Sequence, residues 1–261
     1  MKRFPYLALL VLALAALACA VPGTSPEATA TPLPSNTSAP TDTPIPTDTS
    51  TPLPTSTPDV AATAAVKATQ SAGDVLGELD KLLEDTDIPY KEGHLAWQQT
   101  RALNIKLSGP DHQILEIDKD LTAGNFIFKS DVTWEASGIL VCGAIFRSEP
   151  NLKEGKQYQF VYLRLSGLPV WAIEVHEFGN FKNTPTKSKS SDALDLSNGS
   201  TNRFVLVVQD DHFTIYINNV RQGTYYDYSK QRIEGAFGVV ASQDSGKGNC
   251  EYENSWVWAL E

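Results

Sequence analysis

Basic residues are in short supply in this chain. Lys and Arg together number 21 against 31 Asp and Glu, a formal net charge of −10. Nucleic-acid binding wants a basic stripe, so no nucleic-acid partner is expected. Histidine is rarer still, at 4 in 261 residues, and no Cys/His spacing suited to zinc occurs. A Gly-rich phosphate loop and a Gly-x-Ser-x-Gly nucleophile elbow are both missing. No cofactor is therefore expected. The most apolar run, Leu7–Leu17, is too short to be a comfortable transmembrane helix. Cysteine is scarce too, at 3 residues: Cys19, Cys142 and Cys250.

What is present at the start of the chain is ordered like an export signal. Lys2 and Arg3 form a basic region, Leu7–Leu17 an apolar one, and Ala16-Leu17-Ala18-Cys19 a small-residue cleavage site ending in Cys. Residues 1–19 resemble a bacterial lipoprotein signal peptide with its lipobox. The resemblance implies cleavage before Cys19 and a diacylglyceryl thioether on its sulfur. It also implies a protein anchored by lipid on the extracytoplasmic side of the membrane, in the bacterial cell envelope. The other reading is an ordinary secretory signal with an incidental Cys. In an oxidising compartment Cys142 and Cys250 are then an even pair. Their disulfide would close a loop of about 107 residues and contribute ~4–5 kcal/mol at most; two buried free thiols are the alternative.

Residues 20–58 are a Thr/Pro/Ser tract with almost nothing to bury. Proline fixes φ and removes donors, so the tract is expected to be a disordered, extended linker. At ~3.1 Å per residue it could reach about 120 Å. The character changes at residues 59–85. Asp59 can cap a helix, and Val60, Ala64, Ala65, Ala68, Val75, Leu79, Leu82 and Leu83 recur at helical spacing. The spacing weakens near Ser71–Gly73, so one helix or two short ones are expected, as a loosely attached stalk.

From 86 to 261 the pattern is β. Strands are expected at His94–Gln98, Leu103–Ser108, His112–Asp118, Asn125–Glu135, Gly138–Ser148, Gln157–Ser166, Val170–Glu177, Arg203–Gln209, His212–Asn218, Arg221–Tyr226, Gly235–Ser242 and Cys250–Leu260. Turn residues separate them, as at Ser108-Gly109-Pro110 and Asn218-Asn219. Many short strands at this spacing predict an all-β, two-sheet antiparallel sandwich. Residues 178–200 are polar and predict a long surface loop. Alternation assigns faces. Phe126, Phe128, Val132 and Trp134 share one side of a strand, and Trp171, Ile173 and Val175 point inward while Glu174 and His176 point out. Phe213, Ile215 and Ile217 likewise point in, leaving His212, Thr214, Tyr216 and Asn218 outside. In Gln157–Ser166, Val161, Leu163 and Leu165 make an aliphatic face, and Tyr158, Phe160, Tyr162 and Arg164 an aromatic one.

The succession GAIFR, QYQFVYLRLSG, NRFVLVVQDDHFTIYINNVRQGTYYD, GAFGVVAS and NSWVWAL resembles the concanavalin A-like jelly roll, within it the laminin-G-like and 3-keto-disaccharide hydrolase-like domains. The likeness covers roughly Ala123–Leu260. It implies two curved antiparallel sheets with a concave face or a rim that often binds carbohydrate.

The expected ligand contacts are Arg147, Tyr158, Tyr162, Arg164, Glu174, His176 and Tyr216. Aromatic rings stack on sugar faces, and Arg, Glu and His give directional hydrogen bonds. The aromatic side of Gln157–Ser166 could equally be packed beneath the Ala-rich helix or the 178–200 loop. The run Glu116-Ile117-Asp118-Lys119-Asp120 resembles the E-x-D-x-E signature of jelly-roll glucanases, but ends in Asp, lacks a Trp- and Gly-rich lead-in and lies early in the chain. No catalytic residue is expected. Asp244, Glu251, Glu253 and Asn254 are oxygen donors of the kind that hold a structural Ca²⁺ in some jelly rolls. The expected function is non-catalytic binding of a polysaccharide or glycoconjugate. A glycoside-cleaving enzyme of the 3-keto-disaccharide hydrolase type and a cell-surface protein-interaction domain are the alternatives.

Overall fold

A computed structural model of the protein describes residues 60–165 and 167–261. The expected signal, lipidated Cys19 and Thr/Pro linker lie outside the described residues. The chain opens with α1 (Val60–Leu83) and a 3-10 turn at Tyr90–Glu92. The strands follow: β1 (His94–Gln98), β2 (Leu103–Ser108), β3 (Asp111–Glu116), β4 (Thr122–Ala123), β5 (Phe126–Ala136), β6 (Leu140–Ser148), β7 (Gln157–Leu165), β8 (Leu168–Glu177), β9 (Asn180–Asn183), β10 (Lys189–Ser190), β11 (Thr201–Gln209), β12 (His212–Ile217), β13 (Val220–Tyr226), β14 (Gly235–Gln243) and β15 (Lys247–Ala259). They build a two-sheet antiparallel jelly-roll sandwich. The first sheet runs β1-β15-β5-β11-β12-β13, with β2 also on β15. The second runs β10-β8-β7-β6-β14-β3, with β4 on β14 and β9 on β8.

The core fills the space between the sheets. Phe126, Phe128 and Trp134 of β5 and Phe204 of β11 meet Phe146 of β6, the rings of β7 and Phe237 of β14. Cys142 of β6 and Cys250 of β15 are joined through this core, with Cα atoms 5.9 Å apart. The bond staples one sheet to the other.

Several expectations change here. α1 is one continuous helix, not two. Gly73 costs it roughly 1 kcal/mol, a small penalty beside the burial of Val75, Leu79 and Leu83. Nor is the helix a loosely attached stalk: those three side chains pack on the outer face of the first sheet, against Ile127, Val205, Val207, Trp256 and Trp258. Tyr90 completes the dock, taking a 2.9 Å bond from Trp258 Nε1 at its carbonyl and giving its hydroxyl to Asp80. Residues 178–200 are not wholly loop, since β9 and β10 add short edges to β8. The aromatic side of β7 does not lie beneath the helix; Leu194 of the 178–200 segment joins its rings in one cluster, and Asn198 of that segment takes a bond from Arg164. This side of β7 faces the core, because rings remove the most apolar area from water where they are fully enclosed.

Candidate functional site

With α1 on one outer face, the other outer face of the sandwich is that of the second sheet. Alternation places His112 and Ile114 of β3, Gly143 and Ile145 of β6, Gln157 and Gln159 of β7, and Glu174 and His176 of β8 on it. Four strand spacings separate β3 from β8, about 19 Å in a flat sheet. Yet His112 and His176 line one groove of about 380 Å³. The sheet is therefore strongly curved, and this face is its concave side.

Half of the concave face is apolar. Ile145, Val161, Ala172 and Val240 form a layer, and Leu152 presses onto it from the 149–156 connection. Gly238 makes the room: a Cβ there would collide with Leu152 Cδ2 and the Leu115 carbonyl. The other half is polar. His176 stands directly across from Gln157, and Glu174 from Gln159. Gln157 is 1% exposed and Gln159 2%. Gln157 Nε2 donates to the Leu152 carbonyl at 2.9 Å, which ties the connection to the floor. Its Oε1 is buried without a partner among the described residues. His176 Nε2 lies 2.8 Å from Glu174 Oε2. Lys153, Gln113 and Gly179 complete the rim. Burial holds the His112 imidazole below its ordinary range, the nearby His176 lowers it further, and Asp111 opposes the shift.

Of the seven expected contacts, only Glu174 and His176 come together here. Arg147 is buried. A bulge sets two residues of β6 against one of β14 at this point, and Arg147 has a positive φ of 48°. Its guanidinium turns into the structure and donates to the carbonyls of Gly124, Asp210 and Arg232. Tyr158 and Tyr162 are core residues. The Tyr158 hydroxyl donates to Asp227, and burial pushes both phenols up. Arg164 donates to Asn198 Oδ1 and the Ala136 carbonyl. Tyr216 is buried at a separate groove of about 750 Å³ beside Asp87, His212 and Arg221. These five therefore do not join Glu174 and His176: Arg147 and Tyr158 meet at a separate groove of about 360 Å³ beside Asp210, Asp227 and Arg232, Tyr162 and Arg164 are held by packing or structural bonds, and Tyr216 lies on the opposite outer face.

The remaining expectations are quickly placed. Glu116 ends β3, and Asp118 Oδ1 accepts from Asp120 N at 2.9 Å, so the acidic run turns instead of lining a strand. Asp244 Oδ1 accepts from Ile139 N at 3.1 Å. Among the described residues no three His, Cys, Asp or Glu converge as a metal site. His112, Gln157 and Gln159 were not among the expected contacts. A signal for the glutamines exists: two amides alternate at the head of a face that continues as Val161 and Leu163.

Fold and face together define a jelly-roll sandwich with one concave sheet face uncovered by the helix. No protein-family model matches the chain, and no curated protein matches it. Solved structures do. One is the carbohydrate binding module CBM66 from Bacillus subtilis, at 15% identity and TM-score 0.46, covering 58% of this chain and 84% of that one. A second is the β-glucanase of Bacillus licheniformis, at 10% identity and TM-score 0.41, over 61% and 79%. A third is a Bacillus subtilis protein of unknown function with a galectin-like fold, at 13% identity and TM-score 0.45, over 65% and 89%.

Proposed function

We propose that this chain is an extracytoplasmic, lipid-anchored module whose concave face holds a carbohydrate or glycoconjugate without cleaving it. The observation that carries the reading is the buried amide floor. An unpartnered buried acceptor such as Gln157 Oε1 costs about 1–3 kcal/mol, and a ligand hydroxyl would relieve it. Amide and imidazole groups both donate and accept, which matches hydroxyls, and Glu174 supplies an accepting carboxylate. The apolar half of the face suits the C–H side of a sugar ring. Residues 1–58 support delivery of the domain outside the cell on a long tether.

The test is titration of the full-length protein in detergent micelles against a panel of polysaccharides and their oligosaccharides. Released sugar is followed in the same wells. Binding without release, lost in His176→Ala at unchanged stability, is the expected result. Glu174 and His176 at 2.8 Å could also move a proton, so sugar release lost in Glu174→Gln would instead establish the glycoside-cleaving reading. Neither binding nor release would leave the protein-interaction reading. For the anchor, Cys19→Ser should move the protein from the membrane to the soluble fraction; retention in the membrane refutes lipidation at that residue.

A further inference from the structure

β8 and β9 are joined by a two-residue turn, Phe178-Gly179, with Glu177 paired to Asn180. Both turn residues have positive φ, 54° and 69°. Such turns favour Asn, Asp or Gly at the first position, and a bulky residue there is a genuine outlier. Phe178 is also 71% exposed. Neither the backbone nor the burial of this residue accounts for its identity. The backbone around it is well held: Phe178 N donates to the Glu154 carbonyl at 2.8 Å, so the turn is tied to the connection that covers the groove.

The second ring of the hairpin is Phe181, 54% exposed. It sits directly opposite His176 on the concave face, edge-to-face with the imidazole at 6.0 Å between ring centres. Phe181 thus stands exposed beside His176, which lines the groove, and Phe178 stands at the tip of the hairpin, next to Gly179, which also lines it.

We infer that the Phe178–Phe181 hairpin is an aromatic arm that stacks on a sugar chain leaving the groove, so that the ligand is an oligosaccharide spanning both. The inference rests on the reading of the groove as a carbohydrate site. The surroundings favour this occupant over a protein. Lys182 lies over the Phe178 ring and pairs with Glu177, and the strand that carries Phe181 also carries Asn180 and Asn183. A protein interface would want a broad contiguous apolar patch. A pyranose needs one ring face and nearby hydrogen-bonding groups.

The experiment compares wild type with Phe178→Asn, Phe181→Thr and His176→Ala, all full-length in detergent. Affinity is measured for a monosaccharide and for the longest soluble oligosaccharide of whichever polysaccharide binds. Thermal stability and self-association are recorded on the same samples. Phe178→Asn should raise Tm, because Asn suits the turn, and should weaken the long ligand about tenfold while changing the monosaccharide less than about twofold. Phe181→Thr should weaken the long ligand likewise. If His176→Ala abolishes binding while both hairpin variants bind the long ligand like wild type, the arm is refuted and the groove stands. If wild type binds no sugar, both fall together. A lower Tm in Phe178→Asn, or self-association of wild type that this variant loses, would assign the ring to packing or to a second copy and overturn the inference.

Discussion

Replacing Leu79 by Ala decides which face of the sandwich is free. Leu79 is 0% exposed, lies between Val75 and Leu83 on the docked side of α1, and belongs to the cluster holding Ile127, Val205, Val207, Trp256 and Trp258. The substitution removes three carbons, about 2.4 kcal/mol at ~0.8 kcal/mol each. A residual cavity adds to this, which places the loss at about 3 kcal/mol within the usual 2–5. At ~2–4 °C per kcal/mol for a domain of this size, Tm should fall by about 6–12 °C. Scanning calorimetry of the full-length protein measures it, and amide exchange over 76–83 reports whether the helix stays docked. Val66→Ala is the control, on the same helix but 67% exposed, and should stay within about 0.5 kcal/mol. A Leu79→Ala protein with wild-type Tm and wild-type exchange would refute the docking. The outer face of the first sheet, with Trp256 and Trp258, would then be open, and the concave groove would lose its standing as the available surface.

The other predictions follow the same logic. Mass spectrometry of the unreduced, alkylated protein should find no free thiol at Cys142 or Cys250, and replacing both by Ala should cost up to ~4–5 kcal/mol. For Asp131, burial alone would raise the carboxyl pKa, but the Arg203 hydrogen bond, Lys129 and Asn254 outweigh it and hold the group below its usual range. A depressed carboxyl contributes stability above its unfolded pKa of about 3.9 and loses it as pH falls through the folded value. Asp131→Asn should therefore lower Tm at neutral pH, where Lys129 and Arg203 lose their partner, and flatten the acid limb of Tm against pH. His112 is also depressed, so its neutral form contributes stability above about pH 6.5 that is lost as pH falls through the folded value. His112→Gln should remove that part of the profile; an identical profile would show that burial does not depress His112.

Strand positions were legible because they depend on local pattern. Alternation in Phe126–Ala136, Leu168–Glu177 and His212–Ile217 marks the strand and the side that meets the opposite sheet, but not that Ile127, Lys129, Thr214 and Tyr216 on the other side of β5 and β12 are buried as well. With Cys19 assigned to the signal, parity suggested the pairing of Cys142 with Cys250 but left two free thiols open, and the structure joins them. β7 shows where this kind of reading stops: its two faces, one aromatic and one headed by Gln157 and Gln159 and then aliphatic, are both apolar enough to be covered. Alternation says that such faces differ; it cannot say which one meets the opposite sheet. That choice is made by the rings of β5 and β11 across the core, far away in sequence. Arg147 escaped for a related reason, because a bulge against β14 reverses its direction and nothing local announces it. The site itself is a product of curvature. His112 and His176 are 64 residues and four strand spacings apart, and only the bending of the second sheet makes them neighbours. By itself, then, the sequence determined most of the strands and the helical stretch, which are set by neighbours along the chain. Tertiary structure decided which faces are covered, where the helix rests and which polar groups converge, because those depend on how whole sheets pack.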